Sequence, residues 1–363
     1  MIRLPSRRDE GWRWADLRLA ERLRAVPPAN DRLPDLAALR LPVPARRAVL
    51  AGGTVVDAGG LVARADPDRS LAPHPLADIA AEEARAGLVL EVGAGEDGGI
   101  VECVHVGTSG AQHAVLRVVL GAGARLVLVE TVADGAAEHW SNIRLDVRLE
   151  AGAELLRVLR VATGRGLVSA RAAVRLAASA RLCDLSLVAS PAAARIETHA
   201  LLEGEGARAE LHGVLIARGP AGLDAVSRVD HAVPATASRQ VWRLLAAGTA
   251  QAAVEGAVVV APGAQKSDAA QSLRGMVLQR TAAVNLKPEL AIHADDVSCA
   301  HGCAVGEIDP LQRFYLESRG LPRSAAQALL LRAFASEALA ALADPRLSEP
   351  VTADLVRQLE ALA

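Results

Sequence analysis

The densest chemistry in the chain lies in one short run, Asp295-Asp296-Val297-Ser298-Cys299-Ala300-His301-Gly302-Cys303. Side chains two apart on a strand share a face, so Cys299, His301 and Cys303 would project together. Thiolates and imidazoles are metal ligands. Successive same-face side chains lie roughly 6.6 Å apart, at about 3.3 Å of rise per residue. A single tetrahedral zinc, with bonds of about 2.3 Å to sulfur, is poorly served by that spacing. An iron–sulfur cluster, or a centre completed by ligands from another chain, suits it better. The pattern leaves a second reading open, in which small side chains pack in a protein wall, as free cysteines commonly do. The other histidines named here, His105, His113, His139, His199, His212, His231 and His293, are scattered and read as structural.

Two further motifs imitate nucleotide sites. Leu88-Val89-Leu90-Glu91-Val92-Gly93-Ala94-Gly95-Glu96-Asp97-Gly98 matches G-x-G-x-x-G after an apolar run, as in methyltransferases. That turn works only when a helix follows and offers its N-terminus to the ligand. Here Ile100-Val101-Glu102-Cys103-Val104-His105-Val106 alternates like a strand, so the glycines read as a turn. Gly263-Ala264-Gln265-Lys266-Ser267 has the Lys-Ser of a phosphate loop, but Gln265 stands where glycine must precede the lysine. ATP hydrolysis by this chain is not expected.

The elements that carry these residues follow from period and composition. The chain has 363 residues, 51% hydrophobic and 23% charged, with 40 basic against 42 acidic side chains. That balance excludes a strongly basic nucleic-acid binder and an acidic disordered chain. No apolar run is long enough to span a bilayer, and the first residues lack a secretory core, so a cytoplasmic protein is expected. Only Lys266 and Lys287 are lysine among the cations, which reads as base-composition bias. Four cysteines are too few and too scattered for a disulfide framework. Aromatics are only 2%, so the core must be built from Ala, Val, Leu and Ile.

Residues 1–86 read as helix and loop: a helix from about Ser6 to Val26, prolines at 27, 28, 34, 42 and 44, and a helix over Leu76 to Ala86. From 87 to 308 the texture is β. Small-residue turns recur at 123, 152, 179 and 206, giving intervals of 29, 27 and 27. A fixed period with β-like runs between turns is the trace of a stacked solenoid. A β-sandwich with coincidental spacing is the competing reading, and the regular period favours a β-helix. From 309 to 363 the period returns to helical, with helices around Leu311–Leu316, Ala325–Leu342 and Thr352–Leu362.

The runs Gly263-Ala264-Gln265-Lys266-Ser267-Asp268-Ala269-Ala270-Gln271-Ser272, Lys287-Pro288-Glu289-Leu290 and Ala294 to Gly302 resemble the SufB/SufD family. The resemblance continues through Val305-Gly306-Glu307-Ile308-Asp309 and Phe314 to Gly320, and returns at the N-terminal Pro5 to Trp14. It implies a right-handed parallel β-helix flanked by helical regions, in a system that assembles iron–sulfur clusters. It implies a SufB-type paralogue as partner and a SufC-type ABC ATPase docked on the C-terminal helices, here at Leu311, Phe314, Tyr315, Arg319 and Phe334. A cysteine desulfurase and a sulfur carrier act indirectly. The resemblance assigns His301 and its neighbour Cys299 to a transient cluster at the SufB–SufD interface, while Cys303 departs from the family's usual small residue. A SufD-type chain is favoured because Gln271-Ser272 stands where SufB carries a cysteine, and His301 where SufB is acidic. Members have been linked to a reduced flavin, for which no binding pattern is legible here. The alternatives are a structural adaptor that never touches metal and a methyltransferase-like enzyme. A solenoid with an open edge can also pair with itself.

Overall fold

A computed structural model describes residues 2–28, 33–64, 73–135, 137–190, 192–360 and 362. Part of the proline-rich stretch, residues 29–32, lies outside the described residues.

Alternation of Val, Leu and Ala with short polar steps drives the central chain into strands, and small-residue turns reverse it at a nearly regular interval. Consecutive strands therefore fall into different sheets. One sheet has ten strands and the other nine; apart from Thr54–Asp57 and Val62–Ala63, which add antiparallel at the first edges, each coil contributes a strand to each. From Arg46–Ala51 to Ser298–Gly306, every strand of the longer sheet pairs in parallel with the strand one coil earlier. The fold is a parallel β-solenoid flanked by helices.

One column of turns shows why the period is regular. Gly95, Gly123, Gly152, Ser179, Gly206, Ala235 and Lys266 all have positive φ. The amide N–H of each donates to a carbonyl of the next coil's turn, as Gly123 does to Ala151 at 2.8 Å and Ser179 to Glu205 at 2.9 Å. Four of the seven are glycine, which adopts this conformation without strain. Ser179, Ala235 and Lys266 hold it at 57°, 56° and 58°, where the stacked hydrogen bonds impose it. Both nucleotide-loop imitations thus fall in this column. Gly95 leads into the strand Asp97–Gly107 rather than a helix, and Lys266 occupies the last turn but one.

The space between the sheets is filled almost entirely by aliphatic side chains, among them Leu116, Leu128, Leu145, Val174 and Leu244. Both outer faces are covered as well. Leu331, Val351 and Leu355 of the C-terminal helices pack on Val129, Val158, Leu187 and Val214 of the longer sheet. Trp12, Leu17, Leu23 and Ile79 pack on Trp140 and Leu167 of the other. Strands buried on both faces read as near-continuous apolar runs, as these do.

The boundaries differ from the sequence expectation in three places. The parallel ladder begins at Arg46–Ala51, ahead of residue 87, because a six-residue strand between prolines carries too little period to be seen. The N-terminal helix shrinks to Arg18–Leu23, and Trp12 instead lies under the Arg195 guanidinium, 3.9 Å from its ring centroid. The last helix starts at Pro345, not near Thr352, and runs to Glu360 with Pro350 inside it. Proline lacks the N–H for an internal turn and reads as a breaker, but burial of Leu347, Val351 and Leu355 outweighs that loss. The helix Pro75–Glu83 matches its expected place and is capped by the His74 ring, which accepts from the Ala77 N–H at 3.2 Å.

Candidate functional site

The strand Ser298–Gly306 is the end of the longer sheet, and Ala283–Ile292 is the end of the other. Neither has a neighbour on its outer side among the described residues. Cys299, His301 and Cys303 stand opposite Ala269, Gln271 and Leu273 of the preceding coil. Those three are buried residues of the inward row. Cys299, His301 and Cys303 therefore continue that inward row past the last full coil, at the end of the solenoid where another coil would stack. Cys299 is half-buried against the cluster that holds Ala269, Val258 and Ala294, whereas His301 and Cys303 are exposed.

The three donors are strung along one strand. Among the described residues, no three His, Cys, Asp or Glu side chains converge on a point that could hold a metal ion. Any cluster seated here must draw on ligands from beyond this strand. Burial pushes the Cys299 thiol up, against the opposing pull of the Ala269 backbone. Cys183, under the C-terminal helices, is pushed up to about 12 by burial, and Cys103 is raised by burial in the core. A thiol must lose its proton to ligate, which burial strongly disfavours at those two; the exposed thiol is Cys303 on the terminal strand, with Cys299 partly buried beside it.

A second surface adjoins this end. The helix Pro310–Ser318 is capped by Asp309, whose carboxylate accepts from the Leu311 N–H at 2.8 Å. It has no buried residue. Leu311, Phe314 and Tyr315 are 76%, 67% and 57% exposed. Arg319 lies 5.2 Å from the Tyr315 ring centroid and shares the surface. Phe334 does not: it is half-buried with Met276 and Leu278, 5.9 Å from the Arg243 guanidinium. The following helix, Arg323–Ser336, buries Ala326, Leu331 and Ala335, leaving Leu329 exposed at 47%. Sequence reasoning named Phe334 and did not single out Leu329, the large apolar residue of this helix that is exposed.

The model of the SUF system FeS cluster assembly SufBD core domain matches residues 103–334, more than half of the chain. The chain belongs to the SufBD family. Within it, the iron–sulfur cluster assembly protein SufD of Escherichia coli is 30% identical over 243 residues, 66% of this chain and 57% of that protein. SufD of Bacillus subtilis is 29% identical over 133 residues, 37% of this chain and 30% of that protein. The chloroplastic protein ABCI7 of Arabidopsis thaliana is 39% identical over 120 residues, 32% and 25% of the two chains. The chain thus spans between a quarter and about three fifths of these SufBD relatives. The family match covers the terminal strand, the helix Pro310–Ser318 and the next helix as far as Phe334, so the site lies within the shared core. No helix among the described residues is long and apolar enough to cross a membrane.

Proposed function

We propose that the chain is a SufD-type scaffold subunit that joins a SufB-type paralogue through its terminal strands and docks a SufC-type ABC ATPase on its exposed helix pair. The observation that carries this reading is the placement of Cys299, His301 and Cys303 on the last strand, whose outer edge has no neighbour among the described residues. An edge strand offers free backbone groups for another chain to pair with, so partner and ligands meet at one seam. His301 and Cys299 ligate the nascent cluster there, a substrate being built, while the paralogue supplies the remaining ligands. A neutral imidazole can bind iron at cytoplasmic pH. Cys303 packs in the seam.

The chain itself performs no nucleotide chemistry. Leu311, Phe314, Tyr315 and Arg319 form the ATPase contact, joined by Leu329. Closure of two ATPase subunits pulls on the helical layer, which is tied to the solenoid by Arg160 to Asp354 at 2.7 Å and Arg243 to Glu337 at 3.0 Å. The stacked ladders resist bending and deliver the pull to the seam.

The test is cluster reconstitution in the full complex carrying His301→Ala, alone and with Cys299→Ser. Loss of cluster yield with assembly intact is expected. Unchanged yield in the double variant would favour the second reading, an adaptor that braces the paralogue without metal contact. That reading draws on the spread of the three donors along the strand.

A further inference from the structure

Gln240, Gln271 and His301 are successive members of one inward row, each in register with the next. Both glutamines are buried, at 0% and 4% exposure. Gln240 Nε2 donates to the Ala257 carbonyl at 3.1 Å, and Gln271 Nε2 donates to Gln240 Oε1 at 3.3 Å. Gly256 leaves room for both amides, since a Cβ there would lie 3.0 Å from Gln240 Oε1 and 3.4 Å from Gln271 Nε2.

The direction of this ladder is not arbitrary. A backbone carbonyl can only accept, so Ala257 fixes which end of the Gln240 amide faces it. Gln240 must then offer Oε1 upward, and Gln271 must meet it with Nε2. The ladder ends in Gln271 Oε1, an acceptor sealed from solvent and without a hydrogen-bond partner. A buried acceptor left bare costs free energy, so a donor belongs beside it.

The next side chain in the row is His301, one strand away at about 4.8 Å and on the same inward side. Cys299 and Cys303 lie opposite Ala269 and Leu273 instead. We propose that Gln271 is a positioning residue for His301: its Oε1 accepts the N–H of one ring nitrogen and so selects a single tautomer. The other nitrogen then presents its lone pair toward the open end. Partners of this kind orient metal-binding imidazoles, and their loss typically costs ten- to a hundredfold in metal affinity. The consequence for iron rests on the reading of His301 as a ligand. The tautomer does not.

The experiment is long-range proton–nitrogen NMR on the 15N-labelled full chain at about pH 8.5, where imidazole is ordinarily neutral, with His301 assigned by comparison with His301→Ala. In the unaltered chain His301 is expected to show one protonated and one bare nitrogen. In Gln271→Met both nitrogens should move toward the averaged shifts of a free tautomer mixture. Gln240→Met, which removes the prop beneath Gln271, should do so in part and serves where Gln271→Met fails to fold. An averaged His301 in the unaltered chain, or shifts unmoved in a folded variant, would overturn the proposal. A tautomer lost in Gln271→Met together with normal cluster yield in His301→Ala would uphold the positioning and remove the ligand role.

Discussion

Arg160 and Asp354, 194 residues apart in the chain, form a buried ion pair of 2.7 Å between the longer sheet and the last helix. Arg160 also donates to Thr131 Oγ1 at 2.9 Å, so the guanidinium is held from two sides. Burial alone would raise the Asp354 carboxyl, but Arg160 and Arg357, by charge and hydrogen bonding together, outweigh it and keep the group below its usual range.

Asp354→Ala strands that guanidinium, so a loss of about 3–5 kcal/mol in urea unfolding is expected. Arg160→Leu combined with Asp354→Leu should lose clearly less than the two single changes added together. Additive losses would show that the pair does not hold the helical layer in place.

Gly213 and Trp242 are neighbours on adjacent coils, and a Cβ on Gly213 would lie 2.2 Å from the Trp242 ring. Gly213→Ala should therefore cost about 1–3 kcal/mol by overpacking. Adding Trp242→Leu vacates the space, and the double variant should lose less than the sum of the singles. Thermal melts of the four chains decide it.

Acid should weaken the fold before it protonates the exposed carboxylates. Burial pushes His231 and His113 down to about 4, and His231 is neutral between Thr236 and Ser238 at 2.7 and 2.8 Å. The unfolded chain takes up these protons near pH 6.5 and the native one only near 4, so stability is full above about 6.5 and falls toward 4. Each ring contributes on the order of 3 kcal/mol across that window. Asp224, pushed up to about 6 by burial, works in the opposite sense and is outweighed by the two rings. Against its own burial, Glu130 is held down to about 2 by Arg157 and His105 together, and extends the loss to lower pH. Denaturant titrations from pH 8 to about 4 should show a monotonic decline.

Phe314→Ser with Tyr315→Ser removes exposed apolar surface and no core contact. Stability should change by no more than about 0.5 kcal/mol, while retention of the ATPase in co-purification should be lost. A variant that keeps the ATPase would move the docking surface elsewhere.

Period and turn chemistry are local, and they were legible. The small residues at 123, 152, 179 and 206 marked coils that do stack, and the scarcity of aromatics matched an aliphatic interior. The strand after Gly95 rejected a cofactor loop on the same grounds, and the run from Cys299 to Cys303 sits on one strand as its alternation required. What covers a residue is not local. Arg46–Ala51 joins the ladder because Asp97–Gly107 lies beside it, and Leu329 is exposed while Phe334 is half-buried because the helix docks through Leu331 and Ala335. Alternation alone assigns His301 a shared face with its cysteines, but either face was open to it. Only the stacking of Gln240 and Gln271 beneath shows that this face is the inner one, continued past the last coil, since burial belongs to the neighbours a residue meets across the fold and not to those beside it in the chain.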